Sequence, residues 1–193
     1  LMTIPKLASY PMLRVDELPA NKVSWSFEPK RAALLIHDLQ DYFLDFYGPA
    51  SPLVEDLLAN VTGVRRMCRA SDMPIFYTAQ PIEQTPKDRG LLNDMWGKGI
   101  DNKPHLQPIA TGIKPEPGDI VIDKWRYSAF QKSNLQEQMR EFGRDQLVIC
   151  GIYGHIGCLI TAADAFMRDI KPFVIGDAVA DFSRDEHLMA LRY

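Results

Sequence analysis

The sequence predicts a three-layer α/β/α fold, Rossmann-like, with a central parallel sheet. Five short apolar runs, at 32–37, 74–79, 119–123, 146–152 and 172–176, are spaced by helical patterns or long connections. They are apolar throughout rather than alternating, as strands covered on both faces must be. Strand–helix alternation of this kind argues for parallel strands with helices on both sides of the sheet.

The first thirty residues are dotted with Pro5, Pro11, Pro19 and Pro29 and predict an extended arm wrapping the domain. The first strand, Ala32 to His37, stops on a carboxylate, Asp38. Ser51 is a good N-cap and Pro52 suits the first helical position. Leu53, Val54, Leu57, Leu58, Val61, Val64 and Met67 then form an apolar stripe at helical spacing. After the second strand, residues 80–118 break the alternation with prolines and with Gly97 and Gly99. A loop of this length is uncommon unless functional, and it leaves a strand at its carboxyl end, so it should drape over the same crevice. A second long helix is expected from Ser133, with Gln136 completing a capping box, Leu135, Met139 and Phe142 facing inward, and Gly143 closing it. A third runs from about Gly157 to Arg168 with Leu159, Ala162, Ala163 and Phe166 inward. The stretch from Asp181 to Tyr193 begins a helix with no C-cap signal, so the natural chain is expected to continue.

Composition narrows the function. At 193 residues, 46% hydrophobic, the chain suits one domain with a substantial core, residues 1–193. A net charge of −3 gives no basic footprint for nucleic acid. No apolar stretch reaches the roughly 18 residues of a membrane span, and the first residues lack the apolar core of a signal peptide. Cys68, Cys150 and Cys158 have no disulfide spacing and read as reduced thiols of a cytoplasmic protein. No CxxC or HxxxH pair suggests a metal, and no GxGxxG or GxxxxGK suggests a nucleotide cofactor.

In a parallel sheet, ligands bind where the carboxyl ends of the strands line a crevice. Asp38, Lys124 and the segment around Tyr153 follow three different strands and should meet there. Alone, Asp38 could equally be a helix N-cap, Lys124 a snorkelling surface lysine, and Cys158 a small buried hydrophobe. His37 reads as a packing or hydrogen-bonding residue. The aromatic neighbours of Lys124, from Trp125 to Phe130, suggest a walled pocket where a cation meets an anion. The run from Gly151 to Ala165 reads strand, Gly-rich turn, helix, and free amides at such a turn can hold a carboxylate or oxyanion.

These residues resemble the isochorismatase-like hydrolase superfamily, and more narrowly the isochorismatases of siderophore and phenazine pathways. The matching stretches are Leu34 to Phe43, Tyr77 to Pro81, Leu91 to Gly97, Lys124 to Phe130, 151–167 and Asp177 to Ser183, and they cover nearly the whole chain. The string Lys-Trp-Arg-Tyr-Ser-Ala-Phe is especially specific. The resemblance implies Asp38 and Lys124 as catalytic residues. It implies substrate contacts from Gln80, Arg89, Tyr127 and Tyr153, with the Gly157 amide near a carboxylate and a cis peptide entering Tyr153. Phe43 and Trp96 are expected as aromatic walls.

One departure separates the chain from the superfamily's cysteine hydrolases. Their nucleophile aligns with Gly157, and Cys158 stands one position late, turned by about 100° at a helix start. Isochorismatases share this absence. The implied reaction hydrolyses the enolpyruvyl vinyl ether of isochorismate to pyruvate and 2,3-dihydroxy-2,3-dihydrobenzoate, for aryl siderophore biosynthesis. Asp38 would be the general acid, and no covalent intermediate or cofactor is needed. The resemblance also implies a homodimer and carrier-protein or synthetase partners. The competing expectations are a nicotinamidase-like cysteine amidohydrolase and a non-catalytic scaffold.

Overall fold

The computed structural model describes residues 3–193; the first two residues of the expected arm lie outside it. Five strands form one wholly parallel sheet: β1 (Ala32–His37), β2 (Ile75–Ala79), β3 (Ile120–Asp123), β4 (Gln146–Gly151) and β5 (Lys171–Val179). Their spatial order is β3-β2-β1-β4-β5. The chain therefore winds outward from β1 in one direction, then restarts on its other side at β4. The gap between β1 and β4 at their carboxyl ends is a topological switch point, where open α/β sheets bind ligands. The registers align those ends, since His37 pairs with Thr78 on one side and Gly151 on the other, and Ala79 pairs with Asp123.

Successive strand side chains point to opposite faces, and the core divides accordingly. Leu34, Ile36, Ile75, Tyr77, Val148 and Cys150 pack on one side with helix α2 (Pro52–Ala70). Ala33, Leu35, Phe76, Leu147 and Ile149 pack on the other with α5 (Leu135–Glu141) and α6 (Leu159–Met167). The remaining helices are α1 (Asp41–Asp45), α3 (Pro86–Arg89), α4 (Leu92–Trp96) and α7 (Arg184–Arg192). The arm is extended and tied down along its length. Leu7 and Leu13 are buried, Leu7 N–H donates to the Phe46 carbonyl at 2.8 Å, and Glu28 N–H donates to the buried Gln146 side chain at 2.9 Å.

α2 starts as expected: Ser51 Oγ accepts from Val54 N–H, and Pro52 is its first residue. Its inward stripe is Leu53, Leu57, Val61 and Cys68, whereas Met67 is exposed, because Cys68, one residue on, takes the buried position. α5 corrects the expected capping box. Its N-cap is Asn134, while the Ser133 hydroxyl donates to the Ala129 carbonyl at 2.5 Å and Gln136 Oε1 accepts from Arg168. Phe142 sits half-exposed at its end, edge-on to Phe76. Gly143, at φ 67°, closes the helix as expected.

The larger correction is α6. It does not start at Gly157: residues Gly154–Cys158 form a wider, π-type turn first. That turn holds more residues than an α turn and so shifts the phase of the helix behind it. Thr161, Asp164 and Ala165 are the buried positions; Ala162 packs half-buried against the core as expected, Leu159 and Ala163 are half-buried, and Phe166 is exposed, stacking on Trp25. Among the described residues no helix is long and apolar enough to cross a membrane. Replacing Ser51 by Ala should destabilise the protein by about 1 kcal/mol through loss of the cap. Thermal denaturation should read this as a midpoint lower by about 2–4 °C for a chain of this size.

Candidate active site

The residue after β1 is Asp38, held at φ 49° and 94% buried by its 6% exposure. It caps no helix; α1 has Gln40 at that position. Its backbone N–H donates to the Thr78 carbonyl at 3.2 Å and lies 3.1 Å from the Thr78 hydroxyl. That hydroxyl in turn donates to Asp38 Oδ1 at 2.6 Å, and Lys124 Nζ donates to Oδ2 at 3.0 Å. Lys124 follows β3, is 4% exposed, and has its N–H fixed to the Ala79 carbonyl at 2.9 Å. It therefore does not snorkel. Burial pushes the Asp38 carboxyl up, but the Lys124 ammonium and the Thr78 hydroxyl favour the anion more, holding it below the ordinary carboxylate range.

Gly151 ends β4 at φ 118°, where a Cβ would stand 2.2 Å from the His37 carbonyl oxygen, so only glycine lets β4 run this close to β1. The Ile152–Tyr153 peptide is cis, as the resemblance implies. Tyr153 OH donates to the Phe43 carbonyl at 2.6 Å, and the two rings meet edge to face.

The long connection brings Gln80, Arg89 and Trp96 to the same place. It is not structureless. Thr85 and Asp88 form a capping box at the head of α3, which carries Arg89. Gln40 clamps the Gln80 backbone with two hydrogen bonds, of 2.8 and 2.9 Å. Trp96 Nε1 donates to Tyr127 OH at 2.8 Å. The Arg89 guanidinium is buried; Nε donates to the Gly97 carbonyl while Nη1 has no partner among the described residues. Burial lowers its pKa. A buried guanidinium with an unmet donor is suited to a carboxylate.

All the residues expected at the site line one cavity of about 620 Å³ counted with its open mouth: Asp38, Lys124, Gly157, Gln80, Arg89, Trp96, Tyr127, Tyr153 and Phe43. Sequence reasoning missed further walls. Ile4 of the arm, Tyr42, Leu92, Arg126 and Ile156 join it, and so does the His37 ring. His37, Tyr42, Leu92, Arg126 and Ile156 all stood inside the matching stretches, whereas Ile4 lay outside them. Also unforeseen is how that string is anchored: Ser128 donates to Asp164 at 2.6 Å, and Ala129 N–H donates to Thr161 Oγ1 at 3.0 Å. The polar inward face of α6 therefore sets where Lys124 and Tyr127 stand.

Cys158 is fully buried, burial raises its pKa well above the ordinary thiol value, and it does not line the cavity. Cys150 is likewise buried in β4, and Cys68 in α2. His155, Asp181 and Glu186 lie close enough to suggest a cation. However, Nδ1 of His155 pairs with Asp181 while its Nε2 faces Glu186, so one ring nitrogen does not meet both acids. Asp181 also accepts from the N–H groups of His155 and Phe182, and the cluster reads as a hydrogen-bonded lock between the turn before α6 and the start of α7.

The site is thus a buried acid–lysine pair at the carboxyl edge of a parallel sheet, beneath a connection carrying a buried arginine with one unmet donor, an arrangement suited to hydrolytic chemistry on an anion. The chain belongs to the isochorismatase family, whose Isochorismatase domain matches residues 32–193. It is 54% identical over 192 residues to enterobactin synthase component B of Escherichia coli K12, covering 100% of this chain and 67% of that protein. It is 52% identical to an isochorismatase of Bacillus subtilis, again over all of this chain but 62% of the relative. Both relatives thus have substantial length outside the match. A cysteine hydrolase from Pseudomonas syringae pv. phaseolicola shares the fold, with a TM-score of 0.75 at 22% identity over 84% of this chain and 79% of that one.

Because Cys158 faces the core, Cys158→Ala should leave kcat unchanged. Native protein treated with iodoacetamide should stay unmodified at position 158 while unfolded protein reacts, as peptide mass spectrometry would read.

Proposed function

We propose that the chain hydrolyses the enolpyruvyl vinyl ether of isochorismate, giving pyruvate and 2,3-dihydroxy-2,3-dihydrobenzoate. Residues 1–193 act in this reading as one hydrolase domain. The observation that carries it is a cavity that holds a buried Asp38–Lys124 pair but offers no side chain at position 157. The likeness to an isochorismatase at 52% identity supports the same substrate.

The substrate is a dianion. Arg89, with its unmet Nη1, receives one carboxylate. Gln80 and Tyr127 complete the polar contacts, and Phe43, Trp96 and Tyr153 exclude water. The difficult step is transfer of a proton from Asp38 to the terminal vinyl carbon. The C–H bond forms from the π electrons, leaving an oxocarbenium ion. Water adds to the ether-bearing carbon of that cation and returns its proton to the Asp38 carboxylate. The hemiketal then loses its hydroxyl proton to form the ketone of pyruvate and breaks its ether C–O bond, and the leaving oxygen takes up that proton to depart as the hydroxyl of the dihydrodiol.

At rest Asp38 is held as the anion, so the acid must be made on binding. A second anion beside Asp38 disfavours its charge, and Lys124 turning part of its charge to the substrate removes what stabilised it. The site should take up a proton as it fills. Siderophore biosynthesis is the setting this reading favours, on the 54% identity to enterobactin synthase component B, with synthetase or carrier proteins as partners and a homodimer as the working form. No observation favours amide hydrolysis: the thiol such chemistry needs is absent from the cavity.

Asp38→Asn should lower kcat by roughly 10²–10⁴-fold while a substrate analogue still binds. Pyruvate release coupled to lactate dehydrogenase measures this; unchanged turnover removes Asp38 from the mechanism, and ammonia from nicotinamide in place of pyruvate would overturn the reading. Calorimetric titration of a saturated-ether analogue in buffers of different ionisation enthalpy should show proton uptake near neutral pH that vanishes in Asp38→Asn. For the same reason kcat should fall on the alkaline side, as the bound complex loses the Asp38 proton.

A further inference from the structure

Gly157 stands at the cavity wall on a backbone outside the left-handed region, so its conformation alone would accept any residue. What forbids a side chain is His37. A Cβ at position 157 would lie 2.1 Å from Cε1 of the His37 ring, 2.6 Å from Nε2 and 3.0 Å from Nδ1. These are far inside van der Waals contact, and the ring is not free to give way. It lies at the end of β1 with 1% exposure, and its Nδ1 is 2.7 Å from the Ile152 carbonyl, which only an N–H can satisfy. Nδ1 therefore carries the proton. Nε2 has no partner among the described residues. Burial lowers the His37 pKa to about 4, consistent with a neutral ring. The ring thus offers one hydrogen bond and a volume, beside the acid: Nδ1 is 3.7 Å from Asp38 Oδ2.

We propose that His37 reserves position 157 for glycine: its imidazole fills the space a side chain there would enter, so the cavity is closed to a nucleophile from that position. His37 is then a specificity-determining residue that acts by exclusion, and it positions the turn before α6 through its bond to the Ile152 carbonyl. Its meaning for the reaction type rests on the vinyl ether reading; the steric competition itself does not.

The test is a double-mutant cycle. Asn at position 37 keeps an N–H where Nδ1 stands but lacks the far side of the ring. Gly157→Ala alone should lower both the thermal midpoint and kcat/KM for isochorismate. Adding His37→Asn should recover part of each loss, a coupling of about tenfold in kcat/KM. A third arm needs no turnover: in Gly157→Cys with His37→Asn, iodoacetamide should label the introduced thiol in folded protein, as peptide mass spectrometry reads. His37→Ala replaces His37→Asn should the latter not fold. Additive losses in midpoint, with no labelling of the introduced thiol, would overturn the proposal. Coupled midpoints in a protein that releases no pyruvate in any form would uphold it and reject the vinyl ether reading instead.

Discussion

Everything at the site depends on β1 being paired on both sides in parallel. Only a strand hydrogen-bonded to β2 and to β4 in register brings the residues after its end level with those after its neighbours. The ion pair between Asp38 and Lys124 joins residues far apart in the chain and follows from that register. So does the short distance from the His37 carbonyl to Gly151. The glycine is a packing demand of the sheet, and the chemistry of the crevice inherits it.

The electrostatics set two needs against each other. A carboxylate buried beside a lysine is a stable resting arrangement, because each charge compensates the other's loss of water. The proposed role of Asp38 as proton donor needs the opposite state. The site reconciles them by being incomplete: Arg89 and Lys124 supply more cationic charge than Asp38 balances, and an anionic ligand fills the deficit. Filling it shifts Asp38 towards the neutral form. In the proposed mechanism, resting stability and reactivity are thus two ionisation states of the same carboxyl, selected by what occupies the cavity.

β1, β2 and β4 were legible because a strand buried on both faces leaves a continuous apolar run; the edge strands β3 and β5 are only partly buried but kept apolar runs, and all five fell within a few residues of expectation. Asp38, Lys124 and the aromatic string were legible because each follows such a run. The faces of α6 were not, since the wider turn at Gly154–Cys158 alters helical phase without an unusual residue to announce it. The missed capping box at Ser133 has a similar cause: the hydroxyl met a nearer acceptor in the Ala129 carbonyl. The anchoring of Ser128 by Asp164 depends on that same hidden phase, as does the burial of Thr161. The role of His37 was invisible because it lies in the space between two residues, and no linear pattern records an empty volume.

The arm contributes a wall. Ile4 lines the cavity, and the bond from Leu7 to the Phe46 carbonyl fastens the arm beside α1. The family's matched segment begins only at residue 32. The cavity is therefore not coextensive with the matched domain. Residues read in sequence as an extended arm are a piece of its architecture, closing one side of the chamber. Evolutionary drift in that stretch would reshape the chamber without touching any residue by which the family is recognised.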